Sequence, residues 1–154
     1  MTRYVEAPGE YDGPGPSLFL AGGITGAFEW QPVVTTALAD LPLVILNPRR
    51  KNFPIDDSSA AGEQIAWEFR HIRRATAVLF WFPPETLCPI ALFELGSRVM
   101  VVDQPLFVGT HPDYARRQDV IIQLSLAQPE VRVAAEIPEL VRQVRNWFAA
   151  RSSS

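Results

Sequence analysis

The chain holds a single cysteine, Cys88, among 154 residues, so no intrachain disulfide can form and a disulfide-built secreted scaffold is excluded. It holds a single lysine, Lys51, against thirteen arginines, and that lysine lies in the loop-like run Arg49-Arg50-Lys51-Asn52. Schiff-base chemistry therefore has one poorly placed candidate. The two histidines, His71 and His111, have no partners at metal-ligand spacing, so neither a metal site nor a metal cofactor is expected. Long apolar runs are missing: the longest, Ala77–Phe82, stops at Pro83, far short of a membrane span. The opening segment MTRYVEAPGEYDGPGP lacks an apolar stretch, so no signal peptide is expected and a cytoplasmic location is the default. Positive charge is not in excess either. A net charge of −3 gives no general pull toward a nucleic-acid polymer or an anionic membrane.

What is present fits one globular domain. Hydrophobic residues make up 47% of the chain and charged residues 20%, too apolar for disorder. A domain of this length buries roughly 68–70% of the surface of its unfolded chain and folds without staples. Residues 1–16 carry Pro8, Gly9, Gly13, Pro14, Gly15 and Pro16, and are expected to form an irregular N-terminal arm. Residues 17–150 are expected to form the folded domain, and residues 151–154 a flexible tail.

Within that span, short apolar runs alternate with amphipathic segments. Strands are expected at Ser17–Ala21, Leu43–Leu46, Ala77–Phe82, Leu106–Val108 and Val131–Val133. Helices are expected at Trp30–Asp40, Glu63–Arg74, Pro89 to about Val101, Arg117–Leu126 and Pro138–Ala150. Five strand–helix repeats imply right-handed crossovers and a five-stranded parallel sheet between two helix layers, an α/β flavodoxin-like three-layer domain. In such sheets ligands bind beyond the carboxyl ends of the strands. The segments that should converge there are Gly22–Gly26, Asn47–Arg49, Pro83–Cys88 and Thr110–Asp113.

Two acids in that set suggest chemistry. Glu94 stands alone in the apolar helical run Ile90-Ala91-Leu92-Phe93-Glu94-Leu95, where burying a carboxylate costs free energy unless it is paired or reactive. Such a group can act as a nucleophile toward an electrophilic sugar carbon; the alternative is a solvated glutamate on the outer face. Glu68 shares a three/four-spaced stripe with Ile65, Phe69 and Ile72, which would turn it inward; the alternative is a place on the rim beside Arg73 or Arg74. Two buried carboxylates suit glycosidic chemistry, in which one attacks and another group handles the leaving group. Gly22-Gly23-Ile24-Thr25-Gly26 permits close approach of a ligand, although any tight strand-to-helix turn would use the same residues. It is neither a dinucleotide fingerprint nor a P-loop.

The ordered set Phe19–Gly26, Leu46–Arg50, Gln64–Glu68, Leu79–Pro83 and Phe93–Gly96 resembles the nucleoside 2-deoxyribosyltransferase-like family, from about residue 17 to about 115. The resemblance implies a flavodoxin-like fold, a small-molecule nucleoside or nucleotide substrate and no cofactor. It also implies a homodimer or higher homo-oligomer with sites completed by a neighbouring subunit. By the same resemblance Glu94 is the nucleophile that forms a glycosyl-enzyme, and a second base or water then takes the sugar. Glu68, Asn47 and Trp67 would hold the base, and Gly22, Gly23 and Thr25 would lie near the sugar 5′ end. The position aligned with the family's orienting tyrosine is Phe19. The position of its leaving-group acid, six residues before the nucleophile, is Cys88, with Glu85 the nearest acid. The expected activity is cleavage or transfer of the N-glycosidic bond of deoxynucleosides, nucleosides or their 5′-monophosphates. The alternative is a non-catalytic nucleotide-binding or sensor domain that keeps the pocket.

Overall fold

The computed structural model describes residues 1–154. Five strands pair in parallel: β1 (Arg3–Glu6), β2 (Ser17–Gly22), β3 (Val44–Asn47), β4 (Ala77–Phe82) and β5 (Leu106–Thr110). Their order is β1-β3-β2-β4-β5. The helices are α1 (Gln31–Ala37), α2 (Ala60–Arg74), α3 (Pro89–Arg98), α4 (Arg117–Ala127) and α5 (Ile137–Ser152). The period-two alternation of strands sends side chains to two separate cores. Phe19 and Ala21 of β2, with Val78, Phe80 and Phe82 of β4, pack with Trp67 and Ile72 of α2, Ala91 and Leu95 of α3, and Val120 and Leu124 of α4. Leu18 and Leu20, with Leu79 and Trp81, pack with Val34 and Leu38 by α1 and with Leu140 and Val144 of α5. The result is the three-layer α/β architecture that strand–helix alternation predicts, with no helix long and apolar enough to cross a membrane.

The five strands are not the expected five. Residues 1–16 do not form a wholly irregular arm: Arg3–Glu6 forms β1, in parallel register with Val44–Asn47 of β3. Every proline and glycine of the arm lies at position 8 or later, so the preceding four residues are free to extend, and Val5 points into the core. Val131–Val133 makes no strand. Only Ala134 bridges to β5, through the Thr110 amide to its carbonyl and its own amide to Val108, each 2.9 Å. The tail is helical through Ser152.

Helix α2 also presents a different face from the expected one. Ala60, Trp67, His71 and Ile72 are its buried residues, whereas Ile65 and Phe69 are 66% and 56% exposed. The N-terminal arm explains the rotation. Trp67 donates its indole N–H to the Gly9 carbonyl at 2.7 Å, and the Tyr11 amide donates to His71 Nε2 at 3.1 Å. His71 therefore carries its proton on Nδ1 and gives it to the Trp67 carbonyl at 2.8 Å. The two rings stack with centroids 4.1 Å apart. The two aromatic side chains thus fill the core and anchor the arm together. Trp67→Ala is expected to lower unfolding free energy by about 3–5 kcal/mol, read as a lower urea midpoint, because it empties a core site and orphans the Gly9 carbonyl.

Candidate active site

All five strands are parallel, so the segments after β2, β3, β4 and β5 leave from one edge of the sheet. The chain runs from β2 outward to β3, then returns past β2 to β4, which makes the β2–β4 boundary the switch point of the sheet. The two loops there touch. A Cβ on Gly22 would stand 2.1 Å from the Trp81 carbonyl oxygen, and one on Gly23 would stand 2.6 Å from Pro83 Cγ and 3.1 Å from Cys88 Sγ. Gly22 also has φ +144°, a conformation that L side chains rarely adopt. These glycines are accounted for by chain meeting chain. The Gly23 carbonyl accepts from Trp30 Nε1 at 2.9 Å and Gln31 Nε2 at 3.4 Å.

Thr25 is exposed in the turn that follows and lies outside α1, which begins at Gln31. Arg49, read from sequence only as part of a basic run, holds this turn in place. Its guanidinium donates to the Ala27 carbonyl at 2.8 Å, the Phe28 carbonyl at 3.0 Å and Gln31 Oε1 at 3.2 Å. Nothing in the local sequence signals that role, since two of the partners are main-chain oxygens some twenty residues earlier. Asn47 is buried with both ends of its amide in use. Its Nδ2 donates to the Tyr4 hydroxyl at 2.8 Å, and its Oδ1 accepts from the Arg49 amide at 2.9 Å. Trp67 is fully buried, and its one polar atom is spent on Gly9. The expected base contact from Trp67 is therefore corrected: the ring is core. Phe19 is equally buried, tilted against Trp67 with centroids 6.0 Å apart.

Helix α3 starts at Pro89, with Cys88 as its cap in the left-handed region at φ 52°. Burial among neighbours, and secondarily the charge of Glu85, push the Cys88 thiol up to about 11, so it is a poor nucleophile at neutral pH. Glu85 is exposed in the loop. Tyr114 closes this side: its hydroxyl donates to the Leu87 carbonyl at 2.7 Å, and burial pushes its own pKa up to about 12.

Glu94 of α3 lies near enough to Glu68 of α2 to feel its charge. Both are half-buried. Burial first, and then the charge of Glu68, push the Glu94 carboxyl up to about 8. Burial also raises Glu68, against the opposing effect of a hydrogen bond from Gln64 Nε2 at 2.8 Å. No donor of the chain bonds the Glu94 carboxyl; only its main-chain oxygen is engaged, by Ser97 Oγ at 2.7 Å. Such an arrangement is a desolvated, unpaired carboxyl beside a second one whose charge it feels. The exposed apolar residues Ile65 and Phe69 flank Glu68 on α2, and Ile90 and Phe93 flank Glu94 on α3. The cavity of about 870 Å³ lies at the opposite edge of the sheet, around Thr76, Gln104 and Pro105. A second, of about 260 Å³, lies between α3 and α4. Neither includes the two acids.

The family model described as nucleoside 2-deoxyribosyltransferase like matches residues 15–114. The chain belongs to this family. None of the curated proteins compared with it matches. The matched span opens just before β2 and closes at Tyr114, so it takes in the Gly22-Gly23 turn, Asn47, Glu68, Cys88 and Glu94. It leaves out β1, α4 and α5, the parts that complete one edge and the outer layers. Membership makes this a fold of nucleoside- and nucleotide-processing proteins.

The raised Glu94 pKa carries a consequence for stability. The unfolded carboxyl ionises near 4.5 and the folded one near 8, so the folded state loses stability as pH rises between those values. Glu94→Gln removes that penalty. At pH 8.5 the variant is expected to be more stable than the parent by on the order of 1–2 kcal/mol, or about 2–8 °C in Tm, and near-neutral at pH 4.5; thermal unfolding at both pH values checks this.

Proposed function

We propose that the chain cleaves or transfers the N-glycosidic bond of deoxynucleosides, nucleosides or their 5′-monophosphates, with Glu94 as the nucleophile. The observation that carries this is the Glu94 carboxyl itself: half-buried, bonded to no donor of the chain, and near enough to Glu68 to feel its charge. In the first step a Glu94 oxygen forms a bond to C1′ while the C1′–N bond breaks. The bonding pair leaves with the base nitrogen, which takes a proton from solvent water. In the second step a nitrogen of an acceptor base, or water, attacks C1′ and frees the carboxylate. Glu68 meets the leaving base, and Thr25 stands near the sugar 5′ side. No cofactor enters these steps. Only ionised Glu94 attacks, so its high pKa sets the acid side of the pH profile.

A second copy of the chain completes the site in this reading. Ile65, Phe69, Ile90 and Phe93 are 66%, 56%, 64% and 78% exposed and surround the acids on two adjoining helices. An apolar patch of this kind around a charged centre is covered in an oligomer at lower free energy than in water. The free, buried Cys88 suits a reducing, cytoplasmic setting.

One feature favours a non-catalytic nucleotide-binding reading instead. The residues aligned with the family's tyrosine and leaving-group acid are Phe19, which has no polar group, and Cys88, whose thiol stays protonated. Incubation with deoxynucleosides and their 5′-monophosphates, with and without an acceptor base, separates the two. Free or exchanged base is expected, with Glu94→Ala lowering the rate by about 10³-fold or more. Binding without product assigns the second reading.

For the active protein, kcat/KM should rise from pH 6 toward a plateau above about 8, since Glu94 ionises there. A profile already flat from pH 6 would contradict Glu94 as the ionising nucleophile. Sedimentation should show a dimer or larger assembly for the parent chain. Phe93→Glu should shift it toward monomer and lower activity at least about 10-fold, because it buries a charge at the covered face.

A further inference from the structure

Gln64 is the residue that sets how Glu68 is presented. It stands one helical turn before Glu68 on α2, at the i,i+4 spacing that brings side chains into contact. Its Nε2 donates to Glu68 Oε1 at 2.8 Å and to the Pro48 carbonyl, in the segment after β3, at 2.6 Å. Both amide hydrogens are therefore used, each on an acceptor. The reversed amide would set an oxygen against two oxygens, so the orientation is fixed by its partners. Two acceptors are left over. Gln64 Oε1 is buried and accepts nothing, and Glu68 Oε2 has no donor in the chain. Gln64 Oε1 lies inside the protein, so the acceptor left for a ligand at this corner is Glu68 Oε2.

We propose that Gln64 is a positioning residue that turns Glu68 into an acceptor-only reader of the nucleobase, selecting bases that present an amino group there. The inference rests on the reading that Glu68 meets the base. Adenine-, cytosine- and guanine-type bases bring an exocyclic amino donor to such a corner. Uracil- and thymine-type bases bring one ring N–H flanked by two carbonyl oxygens, and those oxygens are set against the carboxylate. A site built to accept from a substrate N–H rejects the analogue lacking it, because the buried acceptors are left without partners.

The test uses the full chain in the Glu94→Ala form, which cannot turn over, with isothermal titration of deoxycytidine and deoxyuridine as a matched pair, then deoxyadenosine, deoxyguanosine and thymidine. The amino-bearing nucleosides are expected to bind at least about 10-fold more tightly. Adding Gln64→Leu should shrink that ratio to about 3-fold or less. In the chain with Glu94 intact, Gln64→Leu should raise KM for amino-bearing substrates and leave kcat within about 3-fold, a split that a mere loss of folded protein would not produce. Equal binding of deoxycytidine and deoxyuridine overturns the inference, even where the Gln64 variant fails to fold. So does a preference that survives Gln64→Leu. A preference in binding with no turnover by the parent chain removes the covalent chemistry and leaves this inference standing; turnover with no preference does the reverse.

Discussion

Two half-buried carboxyl groups, one near enough to feel the charge of the other, are the constraint on which the chemistry proposed for this chain depends. Each helix that supplies one buries an apolar side against the same sheet, Trp67 and Ile72 on α2 and Ala91 and Leu95 on α3. Glu68 and Glu94 stand half-buried on these helices, where both lose hydration and the charge of Glu68 opposes the ionisation of Glu94. The fold carries this cost because the hydrophobic stabilisation beneath is much larger. A carboxylate kept without hydrogen-bond donors is also a better nucleophile than a solvated one, since nothing must be stripped from it before it attacks. The same property that destabilises the folded chain at high pH therefore supports the chemistry proposed for it.

Glycines and polar side chains fix the loops at the carboxyl edge of the sheet. Gly22 and Gly23 let the β2 turn lie directly on the Trp81 main chain and on Pro83, closing the switch point to van der Waals contact. Arg49 fastens the next turn through main-chain carbonyls, and Asn47 ties β3 to Tyr4 on β1. Gln64 then links α2 to the segment after β3 through Pro48. Most polar side chains near the site thus hold the scaffold, and few are left to meet a ligand. Cys88, buried and with its thiol kept protonated, belongs to the scaffold as well.

The architecture was legible because its signals are local. Ala77–Phe82 reads as a strand from apolar content alone, and Pro89 marks the start of α3 to the residue. Glu94 was legible for the same reason: an acid between Phe93 and Leu95 on a helix that must pack stands out. The face of α2 was not. Its apolar stripe of Ile65, Phe69 and Ile72 competes with Trp67 and His71, and the larger pair wins because the arm supplies hydrogen bonds that only a buried tryptophan and histidine can use. Glu68 thus shares a stripe of which only Ile72 faces inward, and is itself half-buried. Gln64 carries no such signal, although its spacing to Glu68 is a common helical pair, since the contact with Pro48 that gives it meaning joins two separate elements.

What the sequence by itself determined is the succession of β2 to β5 with their helices and the lone acid on α3. These follow from periodicity, breakers and composition, which act within a turn or two of chain. Only the tertiary structure decided that residues 3–6 pair as an edge strand, that Trp67 and Asn47 spend their polar atoms on the scaffold, and that Glu94 lies within reach of the charge of Glu68. Each of those depends on partners dozens of residues away in the chain, and packing alone brings such partners within reach.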